Sequence, residues 1–299
     1  MVYKKSVEEQ WVEENASRVL GVPSEQLITT KLLTIVDAFD EVIVKDILGM
    51  FNHKNTQEIL NTHRSESFEK AHPFVLNMCF ALASVNVHAR NYFNKLESAR
   101  ERADKEMKSW ESKVDTAIYD QEVTVEIIGA LVAFKTALDS LSQALAAVYG
   151  YSLKTWGSNG DKVIKALTNN VPDKDKGPVQ SLIDFIRDHQ SDTKDYIDLR
   201  DNLGHGITEY KSTISGFFKR KHDELPQNPR VEINGKVVDC SDLMNGCMQL
   251  SGQYCREIIA LLLSSFIPDI KIGIQDGRYV WSHNIAAVTD TNTGETRVL

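Results

Sequence analysis

The stretch Tyr196-Ile197-Asp198-Leu199-Arg200-Asp201-Asn202-Leu203-Gly204-His205-Gly206 brings an arginine, a carboxylate, an amide and a histidine close together in sequence. Arginine is planar, always charged and able to grip a phosphate with two donors. Histidine, with an unperturbed pKa of about 6.5, can take or give a proton near neutral pH. This pair could cleave RNA without a metal. A base takes the 2′-hydroxyl proton, or an acid protonates the leaving oxygen, while a cation stabilises the phosphoryl oxygens. In that chemistry His205 is the acid–base group and Arg200 the electrostatic group. Asp201 would orient the histidine or hold the arginine, and Asn202 could donate to substrate. The compact basic cluster Lys219-Arg220-Lys221-His222 could add phosphate contacts. The competing reading is structural. Arg200 and Asp201 would then form a buried ion pair closing a helix bundle, His205 would be a cap, and the basic cluster a solvated turn.

The spacing predicts one helix from about Val179 to Leu203 to position these groups. Stepping 100° per residue from Leu182 puts Val179, Ile186, Tyr196, Ile197 and Leu203 within about 60° of one line. Arg200 falls on that line. An arginine at the centre of an apolar arc is costly unless it has a partner or a task. Gly204 can take the left-handed conformation that ends a helix, and a break there would let His205 swing back toward Arg200. His189 and Thr193 share the inner arc; an inward histidine is usually a satisfied core residue, or else it would line the same pocket. A second match, Arg278-Tyr-Val-Trp-Ser-His283, reads as strand, where residues five apart point to opposite faces.

An Arg-x4-His motif with a polar residue directly after the arginine, at a helix end in a helical protein, resembles the HEPN superfamily. The matching residues are Arg200, Asp201 and His205, and the helical pattern carrying them runs from about Glu66 to Phe266. The resemblance implies a HEPN-like helical bundle and a metal-independent endoribonuclease, a toxin or phage-defence effector. It also implies a homodimer whose two motifs face one cleft. An antitoxin or other protein partner would fit that role. The alternative is a catalytically inactive HEPN-like binding or scaffold protein.

The net charge of −8 counts against broad non-specific binding to nucleic acid but leaves room for a small basic patch. No apolar run is long enough to span a bilayer, and the first residues lack the apolar core of a signal peptide, so a cytoplasmic protein is expected. Cys79, Cys240, Cys247 and Cys255 form no CxxC pair and are expected as buried free thiols. No metal site and no cofactor are expected: neither HExxH, nor a paired DxD, nor a phosphate loop is present.

Residues 1–65 read as an N-terminal helical elaboration, with a stripe from Leu32 to Leu48. Residues 66–267 read as the helical bundle, with a small hairpin inserted near 230–240. Long helices are expected at about Glu66–Trp110 and Ile118–Tyr149, since glycine is absent from 50 to 128 and proline from 74 to 171. Val125, Ile128, Leu131, Phe134, Leu138 and Leu141 mark the core stripe of the second. A short helix from Lys162 to Thr168 follows, then the motif helix. Asn234-Gly235 is the preferred two-residue hairpin turn. Ser241 is expected to cap a last helix to about Phe266. Residues 268–299 read as a small C-terminal β-hairpin appendage. The fold class is therefore mainly α.

Overall fold

The structure is a computed structural model that describes residues 65–109, 116–171, 176–204, 214–220, 223, 225–233, 235–266 and, within 270–298, the four strands named below. The N-terminal elaboration expected over 1–65 lies outside these residues, save for its last.

Two long helices form the frame. Helix α1 (Ser65–Ser109) and helix α2 (Gln121–Tyr149) lie side by side and antiparallel. The pairing is visible in the side chains that cross between them: Asn77 to Ser140, His88 to Glu126 and Arg102 to Asp120. The inner stripe of α1 is buried as its spacing predicts, through Val75, Met78, Leu82, Val85, Ala89, Tyr92, Ala99 and Ala103. Asp120 starts α2 by accepting from the Val123 N–H (3.0 Å), and Gly150 ends it in the left-handed conformation at φ 77°. The expected α2 stripe needs one correction. Val125 is 54% exposed; Val123 and Ile127 take the inner positions of the first turns. Helix α2 begins at Gln121 rather than Ile118, because residues 116–118 are strand.

Helix α3 (Asp161–Asn170) is followed by α4 (Lys176–Asp188) and α5 (Gln190–Gly204). The single motif helix expected over 179–203 is thus two helices. The break falls at His189, whose backbone N–H and ring Nδ1 both reach the Phe185 carbonyl, at 3.2 and 2.9 Å. The Phe185 carbonyl therefore accepts both the regular helical bond and a second one from the ring. Val179, Leu182 and Ile186 of α4 are buried, as are Thr193, Ile197 and Leu199 of α5.

Strand β1 (Thr116–Ile118) pairs antiparallel with β2 (Phe217–Lys219). Gly216 leads into this pair, and a Cβ there would collide with the Ile118 carbonyl. The expected hairpin, β3 (Arg230–Ile233) and β4 (Lys236–Asp239), turns at Gly235 with φ 76°. Helix α6 (Cys240–Phe266) then packs across α2, α4 and α1. Its first turn is capped by Asp239, which accepts from the Ser241 N–H at 2.7 Å, not by the Ser241 hydroxyl. The Ser241 hydroxyl instead meets Tyr92 at 3.1 Å. The chain ends in two further hairpins, β5 (Ile270–Gln275) with β6 (Arg278–His283), and β7 (Ala287–Thr289) with β8 (Thr296–Val298). The architecture is mainly α with small antiparallel hairpins. No described helix is long and apolar enough to cross a membrane.

Candidate functional site

The candidate site sits at the C-terminal end of α5. Packing of this helix is set by Tyr196, which meets Phe134 of α2 edge-on at 5.8 Å between ring centroids. The Tyr196 hydroxyl lies against the backbone of Gly246 on α6, where a Cβ would overlap it. Burial pushes the Tyr196 phenol up to about 12. Ile197 and Leu199 are buried on either side. This fixes the rotation of α5 and places Arg200 at the margin of the core, not at its centre. The break at His189 explains the difference, since the 100° count from Leu182 does not carry through it.

Arg200 has a side chain 31% exposed. Its Nη1 donates to Asp201 Oδ1 at 2.7 Å. Its Nε is buried and has no hydrogen-bond partner among the described residues. Asp201 thus holds the arginine; its other expected role, orienting His205, lies outside the described residues. Asn202 is exposed on the same turn. Gly204, expected to break the helix just after Leu203, is still helical and is the last described residue of α5. His205 and Lys221 lie outside the described residues, so the convergence of His205 on Arg200 is neither met nor missed.

The basic cluster divides. Lys219, read as a phosphate contact or part of a solvated turn, is engaged with a carboxylate here. Lys219 Nζ donates to Asp104 Oδ1 at 2.6 Å, and Lys108 holds the other oxygen at 2.5 Å. These bonds, Lys108 first and then Lys219, keep the Asp104 carboxyl below the usual range against the opposing effect of burial. Lys219 is a tie between β2 and α1. Arg220 is exposed, at a turn where its N–H donates to Asp223 Oδ2 at 3.0 Å. The rival motif is pulled apart by its strand: Arg278 and His283 are the first and last residues of β6.

Two groupings were invisible in the sequence. Glu126 of α2 is buried between two residues of α1, His88 Nδ1 at 2.7 Å and Lys95 Nζ at 2.5 Å. The His88 ring lies against Gly129, whose missing Cβ leaves room for it. The second surrounds the helix break. The His189 ring lies on Phe185 at 4.3 Å, and Tyr254 of α6 lies 5.5 Å from Phe185 and 6.3 Å from His189. Only the inward position of His189 hinted at this cluster; its α6 members are some sixty residues further along the chain.

No family model matches the chain, and no curated protein or solved structure is significantly similar to it.

Proposed function

We propose that the chain is a metal-independent endoribonuclease of the HEPN type. The observation that carries this reading is the state of Arg200. Its side chain is 31% exposed, the Asp201 carboxylate holds Nη1, and its Nε is buried with no acceptor among the described residues. Leaving a buried donor unmet costs about 1–3 kcal/mol. Buried donors are usually satisfied. A phosphoryl oxygen of substrate would supply the missing acceptor and gain a charge-assisted bond. In this reading Arg200 stabilises the phosphoryl transition state, and His205, just past the helix end, serves as acid or base. Asp201 holds the guanidinium, and Asn202 and Arg220 offer exposed contacts to RNA. Such an enzyme would act as a cytoplasmic toxin or phage-defence effector, restrained by an antitoxin or partner protein.

The second reading is a catalytically inactive HEPN-like binding or scaffold protein. The net charge of −8 and the loss of Lys219 to Asp104 favour it. Purified protein incubated with total RNA in excess EDTA separates the two. Cleavage leaving 2′,3′-cyclic phosphate ends is expected of the enzyme. Intact RNA under all conditions supports the scaffold. Strict dependence on Mg²⁺ or Mn²⁺, or 3′-hydroxyl products, contradicts the mechanism.

A further inference from the structure

We propose that His88 is a phosphoryl-accepting histidine, phosphorylated at Nε2 by an acyl phosphate, an activity separate from the ribonuclease reading above. Its basis is a group of side chains on the seam between α1 and α2. Glu126 of α2 holds the His88 ring by Nδ1 at 2.7 Å, and Lys95 holds the other carboxylate oxygen at 2.5 Å. An ionised carboxylate only accepts, so in the neutral ring the proton sits on Nδ1 and the lone pair on Nε2. Nε2 has no hydrogen-bond partner among the described residues, and it is not a buried atom. Lys95 by itself already balances the charge of Glu126. The second contact therefore does something the ion pair does not need: it fixes the ring and aims a nucleophilic nitrogen outward.

Gly129 seats the ring. A Cβ there would stand 2.5, 2.6 and 2.7 Å from Cε1, Nδ1 and Nε2. Near-equal distances to three ring atoms put that point over the ring face, so the imidazole lies flat on the α2 backbone. Glycine inside a helix costs roughly 0.5–1 kcal/mol relative to alanine. Val125 and Val132, one turn either side of Gly129, are themselves exposed. On α1 the residues four before and three after His88 share its face. These are Ser84 and Asn91, both partly exposed and without a hydrogen bond to any described residue. Lys95 follows two turns after His88 on the same face. A hydroxyl, an amide and an ammonium thus flank the ring, and each can donate to phosphoryl oxygens.

The step balances without a proton transfer. Nε2 attacks phosphorus, and the Nε2–P bond forms as the P–O bond to the acyl group breaks. The electron pair of that bond leaves on the carboxylate. Nδ1 keeps its proton, and the positive charge gained by the ring faces Glu126. The donor class follows from the same arrangement. An alkoxide leaving group needs an acid, and here the Nδ1 proton and the Lys95 ammonium are both engaged on Glu126. A carboxylate leaves without one, which selects an acyl phosphate.

The test is incubation of the full-length protein with acetyl phosphate at about pH 8, above the ordinary histidine pKa of about 6.5. Intact mass and phosphorus NMR follow the product. One phosphoryl group is expected, stable in alkali, lost in acid and carried on Nε2. His88→Ala should abolish it while circular dichroism shows the helices retained. Ser84→Ala combined with Asn91→Ala, which removes no contact within the described fold, should slow the transfer roughly tenfold. Glu126→Gln should slow it by about tenfold or more, because an amide no longer fixes the tautomer. A histidine that only neutralises Glu126 gives no labelling. Absent labelling, labelling that survives His88→Ala, an acid-stable or alkali-labile product, or an unchanged rate in the Ser84–Asn91 double variant overturns the proposal.

Discussion

The hydroxyl of Tyr196 fills the space that a Cβ on Gly246 would occupy. This contact sets the distance between α5 and α6 and the rotation of the helix that carries Arg200. Gly246→Ala is expected to destabilise the fold by about 1–3 kcal/mol, as overpacking does. Combining it with Tyr196→Phe should recover part of the loss, because the overlapping atom is gone. Denaturant titration of the two single variants and the double variant gives the coupling. Additive losses would show that the two residues do not share this space.

The Glu126 carboxylate is held between His88 and Lys95. Burial alone would raise it, but the hydrogen bonds from Lys95 and His88 win, and it lies below the ordinary carboxylate range. A depressed carboxyl contributes stability that is present above its unfolded pKa and is lost as pH falls through the folded value. Glu126→Gln should therefore lower stability at pH 7 by about 1–3 kcal/mol, discounted because both partners are partly exposed. The difference from wild type should shrink in acid, below about pH 4. Thermal midpoints measured across this range check it; a constant difference would contradict it.

Lys219 and Arg220 should behave oppositely despite being neighbours. Lys219→Ala leaves the buried Asp104 with Lys108 alone and should cost stability, about 1–2 kcal/mol. Arg220→Ala should leave stability within about 0.5 kcal/mol and weaken RNA binding instead. Filter binding together with thermal melts separates the two effects. Weaker RNA binding in Lys219→Ala at unchanged stability would restore it as a phosphate contact.

One arginine and one histidine make a sparse site for a phosphoryl transition state. Two copies around one phosphate would let acid and base come from different subunits. Sedimentation at micromolar concentration should give twice the 33.7 kDa chain mass. The mixed dimer of an Arg200→Ala and a His205→Ala chain should regain some cleavage. A monomer at that concentration would contradict the shared site.

Legibility in the sequence followed the range of the interactions. Helices α1, α2 and α6 are long and periodic, and their spacing shows without knowing what they touch. Gly150 and Asn234-Gly235 are legible because a positive φ restricts the residue choice. The break at His189 is hidden, since Ile186 and Thr193 keep helical spacing on either side of it. The pairing of β1 with β2 joins two three-residue strands about a hundred residues apart, too short to show alternation. The Lys219–Asp104 tie depends on that pairing and was equally invisible. The sequence sets Arg200 at the centre of an apolar arc, and the break at His189 moves it to the margin of the core. Its unmet Nε could be known only once α5 had been placed against its neighbours.

In the proposed enzyme Arg200 is kept for chemistry at some cost to the fold. Arg200→Met tests it most directly, because methionine fills similar apolar volume and carries no donor. The Asp201 left behind is 42% exposed, so water takes up much of the loss of its partner. A thermal midpoint equal to or above that of the wild type is expected, together with complete loss of RNA cleavage in EDTA. A midpoint lower by more than about 5 °C, a loss on the order of 1–3 kcal/mol for a domain of this size, would mark Arg200 as a structural residue and contradict the claim.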